Sequence, residues 1–295
     1  MKPANVLMIK TAFQLAAKVQ AKAVMIYADV LEDLDFKGRF SKKLDLFLLS
    51  RKKKLETNGD AEASLQKHCK ALISLPKIHL SRISLIKLAA TTALSLDYLT
   101  PGDKVVCVVG SPDLGFLDHL QLLDTAKESE IVMSKGIATI ANSVQPEVFQ
   151  AVLHLSLELA EKGREGKPVG TIFVVGDTEK VMPLVKQMII NPFKGYDEEE
   201  RNVLSPQLKE TIREFAAMDG AFVISGEGII LTAGCYLGAA GGEENLPRGL
   251  GSRHQAGAGI TTLTSAVAFV ISESSGDVRI FKDGKIITQI EKTGR

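Results

Sequence analysis

The stretch DGAFVISGEGIILTAGCYLG, residues 219–238, decides the fold of the second half of this 295-residue chain. Two short apolar runs, residues 221–224 and 229–232, are joined by the glycine-containing connection Ser225-Gly226-Glu227-Gly228. Short β-branched runs around such a connection predict a hairpin. Asp219 and Gly220 precede the first run, where a predicted helix over residues 206–218 ends.

The sequence around this hairpin predicts a mixed unit, a largely antiparallel sheet flanked by helices. Turns at Gly276-Asp277 and Asp283-Gly284 separate three apolar runs near the end of the chain, which favours a meander. Apolar spacing and stop signals predict three further helices. The predicted strands are residues 169–176, 267–272, 278–281 and 286–290, and the helices are residues 146–162, 181–190 and 252–265.

The first half of the chain alternates helix and strand patterns. Helices over residues 7–18 and 80–99 alternate with apolar runs at 23–27, 47–50 and 104–110. Such alternation predicts an open parallel α/β sheet. A charged stretch within residues 121–134 then predicts two domains, residues 1–125 and 126–295.

Ser111-Pro112-Asp113 predicts a turn that enters another helix after the strand over residues 104–110. Gly110-Ser111-Pro112 could hold a phosphate at such a helix start. A plain strand-to-helix turn is the alternative interpretation.

Composition excludes several classes of protein. The net charge is +1, which gives no general attraction to nucleic acid or membranes, and tryptophan is absent. No apolar run approaches the roughly 18 residues that a membrane span needs. The three cysteines (Cys69, Cys107 and Cys235) have no metal-finger spacing, which predicts buried, reduced thiols in a cytoplasmic protein.

Two short motifs carry the chemistry. Asp219-Gly220-Ala221 places a carboxylate at a strand start, beside a glycine that lets a ligand approach the backbone. Gly251-Ser252-Arg253-His254-Gln255 ends a glycine-rich segment and opens a helix, with Ser252 as the expected N-cap. Free N–H groups at a helix start together with an arginine favour phosphate binding, and the carboxylate favours Mg²⁺ or Mn²⁺.

Each motif also has a purely structural interpretation. Asp219 could cap a turn, Ser252 could cap the helix while Arg253 points to solvent, and Ser272-Glu273 could simply lead into a polar turn. Other sites are not indicated. There is no P-loop, dinucleotide fingerprint or nucleophile elbow, and four histidines lack metal-ligand spacing. These histidines are His68, His79, His119 and His154.

The two motifs identify residues 134–295 as similar to the diadenylate cyclases, the enzymes that make the second messenger cyclic di-AMP. The DGA triplet matches, GSRHQ stands where the family has Gly-Thr or Gly-Ser before RHR, and VISE (residues 270–273) matches the surroundings. About the first 120 residues resemble the C-terminal domain of pyruvate kinase, on AVMIYADV (residues 23–30) and GDKVVCVVGSP (residues 102–112). The combination resembles the archaeal-type branch of the family and implies a regulatory or oligomerising first domain.

The resemblance implies a metal-dependent nucleotidyltransferase that joins two ATP molecules across a face-to-face dimer, and a higher oligomer is also compatible with it. Asp219, Arg253 and His254 would be catalytic, and Asp219 would bind the metal. The remaining implied contacts are to ATP. The implied ATP-binding residues are Gly220, Ala221, Leu237, Gly251, Ser252, Arg253, His254, Gln255, Ser272 and Glu273.

Three positions depart from the family pattern. Gln255 stands where the family has arginine, Met218 where some members have a metal-binding histidine, and a single glutamate follows Ser272. An alternative is therefore a nucleotide-binding sensor of the same fold with reduced or lost catalysis. A DNA-linked role is discounted, because no helix-hairpin-helix pattern or strongly basic segment is present.

Overall fold

A computed structural model of the chain describes residues 2–31, 44–52, 69–127, 136–137, 139–140, 143–239 and 249–292. The chain divides into two compact units, Met1–Ser134 and Lys135–Arg295. Within the described ranges, no helix is both long and apolar enough to cross a membrane.

The first unit is built on a five-stranded sheet in the order β3-β2-β1-β4-β5. Strands β1 to β4 are parallel and β5 runs antiparallel to β4, so the predicted parallel α/β sheet is confirmed. Every residue of the central strand β1 is buried, as its apolar sequence requires. The elements are α1 (Pro3–Lys18), β1 (Ala23–Tyr27), β2 (Asp45–Ser50), β3 (Cys69–Ser74), α2 (Arg82–Ser95), β4 (Lys104–Ser111) and β5 (Phe116–Asp124).

The helix predicted after Ser111-Pro112-Asp113 is wrong. The chain turns back through Gly115, at φ +64°, into β5. A Cβ on Gly110 would lie 2.1 Å from the Phe116 carbonyl oxygen, so close strand pairing accounts for that glycine. Without a helix start, the phosphate interpretation of Gly110-Ser111-Pro112 fails.

The second unit contains a seven-stranded sheet in the order β12-β11-β10-β6-β8-β9-β7. Of these neighbouring pairs only β6 and β8 are parallel, so the predicted mixed, largely antiparallel sheet is confirmed. The strands are β6 (Ile172–Val175), β7 (Val185–Gln187), β8 (Ala221–Ile224), β9 (Ile230–Leu237), β10 (Val267–Ile271), β11 (Val278–Lys282) and β12 (Lys285–Ile290), and the helices are α3 (Pro146–Lys162), α4 (Thr178–Val181), α5 (Leu208–Ala216) and α6 (Ser252–Leu263).

The helix predicted over residues 181–190 is also wrong. A 3₁₀ turn, Met182–Leu184, follows α4 and leads into the short edge strand β7. Pro183 lacks the N–H that a continuing helix would need. The side chain of Gln187 instead donates to the Ala233 carbonyl at 2.7 Å and accepts from the Thr232 hydroxyl at 2.5 Å, which fixes the segment along β9.

Two cysteines follow the sequence prediction and one does not. Cys107 and Cys235 are free and buried, and burial raises the pKa of each thiol, to about 12 and about 11. Cys69 is also free but only half-buried, so its predicted full burial is wrong.

Helix α6 lies close against the second sheet because its buried face carries glycine. A Cβ on Gly257 would lie 2.6 Å from Cγ2 of Val270, and one on Gly259 would lie 2.3 Å from the Ala239 carbonyl oxygen. Alanine and isoleucine on the same helix complete the core there. This close packing holds α6 against strands β10 and β11.

Candidate nucleotide site

The Asp219-Gly220 junction places an exposed carboxylate at the start of β8. Gly220 has φ +114°, and a Cβ there would lie 2.7 Å from the backbone nitrogen of Cys235. Both facts require glycine, since a side chain would be strained and would push β9 away. The Gly220 N–H donates to Oδ1 of Asp219 at 3.1 Å, and 81% of the Asp219 side chain is exposed.

The start of α6 leaves its first backbone N–H groups without a side-chain cap. The N-cap is Gly251, one residue before the predicted Ser252, and it offers no capping oxygen. Ser252 is the first helical residue and is exposed. An uncapped helix start with an exposed hydroxyl beside it suits an anionic oxygen.

Arg253 connects the two sequence motifs. Its Nη2 donates to Oδ1 of Asp219 at 3.1 Å and its Nη1 donates to Oε2 of Glu273 at 3.0 Å. Arg253 therefore does not point freely into solvent, although 32% of its side chain is exposed.

Gly170 makes room for this arrangement. A Cβ on Gly170 would lie 2.8 Å from Nη1 of Arg253 and 2.9 Å from Cβ of Glu273. Sequence analysis missed this glycine, because a single glycine near a strand start carries no specific signal.

Two cavities share Ser252 and Arg253. The larger, about 570 Å³, is lined by Pro168, Gly251, Ser252, Arg253, His254, Ile271, Ser272, Glu273 and Ser274. The smaller, about 200 Å³, is lined by Ile172, Met188, Asp219, Gly220, Ala221, Cys235, Tyr236, Leu237, Ser252, Arg253 and Ala256. The structure thus gathers the predicted site residues in one region, with the exception of Gln255.

Gln255 is exposed on α6 and lines neither cavity. Its backbone N–H donates to the Gly251 carbonyl at 3.3 Å as part of the helix. Its predicted contact with ATP stays a prediction.

Ser272 organises the turn after β10 as well as lining the larger cavity. It is 8% exposed, and its hydroxyl lies 3.2 Å from that of Ser274 and accepts from the Ser275 N–H at 3.3 Å. The hydrogen bonds of Ser272 therefore match the polar-turn interpretation. Glu273 beside it pairs with Arg253 instead.

His254 is the buried member of the site, with 6% of its surface exposed. Its Nε2 lies 2.9 Å from Nη1 of Arg279, a group that can only donate. Burial and the charge of Arg279 lower the pKa of His254 to about 4. Since a guanidinium group only donates, this contact suits an unprotonated Nε2.

Behind His254 lies a network that sequence analysis missed. Arg279 donates through Nε to Oε1 of Gln289 at 3.1 Å and through Nη2 to Oδ2 of Asp277 at 3.2 Å. The Gln289 amide also donates to Oδ2 of Asp277 at 3.3 Å. Arg279 and Gln289 are paired across β11 and β12. The one available signal was a cation inside an apolar strand, which usually indicates an exposed face.

Two family models match the chain, one within each unit. Residues 158–286 match the family described as "DisA bacterial checkpoint controller nucleotide-binding". Residues 4–131 match the family described as "Probable sensor domain DacZ_P". The solved structure of DacA from Staphylococcus aureus is 23% identical, over 50% of this chain and 87% of that one, with a TM-score of 0.33.

Two curated relatives each match about 70% of the chain. The diadenylate cyclase of Methanocaldococcus jannaschii is 36% identical over 212 residues, which is 72% of this chain and 67% of the relative. The diadenylate cyclase of Haloferax volcanii is 37% identical over 207 residues, which is 70% of this chain and 74% of the relative. Given this identity over two thirds or more of each relative, the chain belongs to the diadenylate cyclase family.

Proposed function

We propose that the protein condenses two ATP molecules into cyclic di-AMP and releases two pyrophosphates, with the two nucleotides held by two copies of the second unit. The observation that carries this proposal is Arg253, which lies at an uncapped helix start between two cavities and bridges Asp219 and Glu273. This arrangement juxtaposes a phosphate-binding surface with a carboxylate, as nucleotidyl transfer requires.

The larger cavity would hold the triphosphate. Arg253 offers planar N–H donors, α6 offers backbone N–H groups at Gly251 and Ser252, and His254 offers its Nδ1–H. The backbone donors are in place before any ligand arrives, because α6 is fixed by its packing on the sheet, whereas Arg253 would exchange its carboxylate partners for phosphate oxygens. Preorganised donors stabilise charge that develops on phosphate oxygens without further rearrangement.

The smaller cavity would hold the adenosine. Ala221 and Leu237 are buried strand residues that give it an apolar wall, and Gly220 lets the ligand approach the backbone. Asp219 lies at the same cavity, so the ribose hydroxyls and the carboxylate would be neighbours.

A divalent cation, Mg²⁺ or Mn²⁺, fits the donors present if the nucleotide supplies most of its ligands. Asp219 offers one exposed carboxylate, and the described residues contain no cluster of three or more protein metal ligands. Mg²⁺ commonly uses one or two carboxylates together with phosphate oxygens and water. Asp219 would hold the ion, which would supply charge neutralisation at the phosphates.

The reaction joins each 3′-oxygen to the α-phosphorus of the opposite ATP. The bond from that phosphorus to the β-phosphate bridging oxygen breaks, pyrophosphate leaves, and Asp219 assists removal of the 3′-hydroxyl proton. Each site of this kind supplies one nucleotide of the pair. The reaction therefore needs two copies face to face, and alignment provides much of the rate.

The first unit would regulate or oligomerise the enzyme. This proposal is supported by its separate compact fold and its match to a sensor-domain family. We place the protein in the cytoplasm, where ATP is available and free cysteines such as Cys107 and Cys235 stay reduced.

A nucleotide-binding sensor without catalysis is not favoured by the position of Gln255. The residue lies outside both cavities, so its replacement of arginine removes no cavity-lining charge within one chain.

Incubation of the purified protein with ATP and Mn²⁺ or Mg²⁺, followed by mass detection, tests the proposal. Cyclic di-AMP is the expected product. ATP binding without product under either metal would contradict the proposal and support the sensor alternative.

A further inference from the structure

We infer that Arg279 is a positioning residue of the nucleotide site, which holds His254 as a neutral ring with its proton on Nδ1. The inference deepens the proposed function and rests on it for the ligand, because Nδ1–H is then a fixed donor to a phosphate oxygen. The contacts of His254, Arg279 and Asp277 carry the argument.

The tautomer follows from the hydrogen-bond chemistry of arginine. A guanidinium group has no acceptor, so the 2.9 Å contact between Nη1 of Arg279 and Nε2 of His254 requires an unprotonated Nε2. A neutral imidazole carries one proton, which must then be on Nδ1. Doubly protonated His254 would place two N–H groups against each other.

The guanidinium cannot easily turn away from this contact. Gln289 holds Nε and Asp277 holds Nη2, while the Lys292 backbone N–H donates to the other oxygen of Asp277 at 3.2 Å. Only 13% of the Arg279 side chain is exposed. The pairing of β11 with β12 therefore fixes Arg279, and Arg279 fixes the ring.

The ring itself is confined on its other side. His254 packs edge-on against Phe281, with ring centroids 6.2 Å apart. The charged groups that affect it are Arg279 and Asp277 on and beside β11 and Arg253 on its own helix. Burial and the two cations oppose a positive ring and outweigh the one carboxylate, so the donor stays neutral across the working pH range.

Histidine-selective ¹⁵N NMR tests the inference without any need for turnover. The chain has five histidines, and the spectrum of His254→Gln identifies the signal of His254. We expect an unprotonated Nε2 and a protonated Nδ1 in the wild-type protein from pH 5 to 9. A protonated Nε2, or titration of His254 near its ordinary pKa of 6.5, would overturn the inference.

Arg279→Met removes the donor and the charge together. We expect the pKa of His254 to rise toward 6.5 and the ring to populate the Nε2–H tautomer. Lys282→Met is the matched control, since it removes another buried cation of β11 whose Nζ donates to the Ser265 carbonyl. Arg279→Lys keeps a charged donor and should retain an unprotonated Nε2, which covers the case that the methionine variant does not fold.

Turnover gives the second readout. Arg279→Met should lower cyclic di-AMP formation roughly tenfold at pH 8, the order of loss when one hydrogen bond to a charged group is removed. The deficit should shrink as pH falls below the raised pKa, because the doubly protonated ring regains Nδ1–H. An equal deficit at every pH with an unchanged His254 tautomer would show a merely structural role. If the wild type makes no product, the proposed function fails while the NMR result still decides the inference.

Discussion

The ion pairs of Arg253 contribute little to folding stability, so a ligand could replace them without destabilising the fold. Asp219 and Glu273 have side chains 81% and 59% exposed, and exposed pairs are typically worth below about 1 kcal/mol. A nucleotide can compete for Arg253 at small energetic cost. In the proposed function, Arg253 would therefore be held near the site and still be available to phosphate.

His254 links pH to stability at the scale of one residue. Its pKa is about 4 in the folded protein and near 6.5 when unfolded, so the unfolded chain binds an extra proton between these values. Stability from this group is fully present above pH 6.5 and is lost as pH falls toward 4, by up to about 3 kcal/mol. Urea unfolding at pH 5 and pH 7.5 should show a smaller loss in His254→Gln than in the wild type.

The same loss in both proteins would contradict this assignment. Comparing the two proteins removes the contribution of carboxylates, which titrate in the same acidic range in each. Phe281 and Arg279 lose a partner in the variant, so only the pH-dependent part of the difference is informative.

At the scale of elements, Gly220 joins α5 to β8 where β9 passes closest. An alanine at position 220 would be strained at φ +114°, and its Cβ would lie 2.7 Å from the backbone nitrogen of Cys235. We therefore expect Gly220→Ala to lower the free energy of unfolding by roughly 1–3 kcal/mol. Activity should fall further, since Asp219 is displaced with the backbone. Thermal unfolding and turnover measure the two effects.

Gly195→Ala is the matched control. Gly195 has φ +94° but nothing within 4 Å of an added Cβ. The Gly195→Ala variant therefore measures the effect of backbone strain alone. Equal losses in the two variants would refute the claim that the approach of β9 matters.

Element periodicity predicted most of both sheets, and the misses have physical causes. Helix α3 and strand β8 agree with their predicted bounds, because capping signals and buried apolar runs are local. The segment before β7 reads as helical, but Pro183 and the side-chain bonds of Gln187 turn it into an edge strand. Strand β5 was missed because its pairing with β4 is a tertiary contact that its own pattern does not encode.

Candidate site residues could be predicted where they stand in a contiguous sequence motif, and not where the fold brings distant residues together. Asp219 and Arg253 stand in short motifs, so the sequence alone singles out both as candidates. Gly170, Arg279 and Gln289 reach the site only through strand register and helix packing. A single sequence holds no signal for such partners.

At the scale of the whole molecule, the proposed reaction needs two copies, each contributing one nucleotide. Mixing wild-type protein with a fixed excess of Arg253→Met should therefore lower activity per wild-type chain, because mixed pairs lack one complete site. Asp97→Asn is the control for added protein: Asp97 is exposed in the first unit and its left-handed backbone also accepts asparagine, so the variant keeps an intact site and activity per intact chain should not fall. Unchanged activity per wild-type chain, after time for exchange, would contradict the two-copy arrangement.

The most direct test of the central claim is mass-detected turnover of ATP by the wild type and by Asp219→Asn, with Mn²⁺ and with Mg²⁺. We predict cyclic di-AMP and pyrophosphate from the wild type, and a loss of roughly 100-fold or more in the variant with ATP binding retained. Wild-type protein that binds ATP yet forms no cyclic di-AMP, or a variant as active as the wild type, would contradict the account.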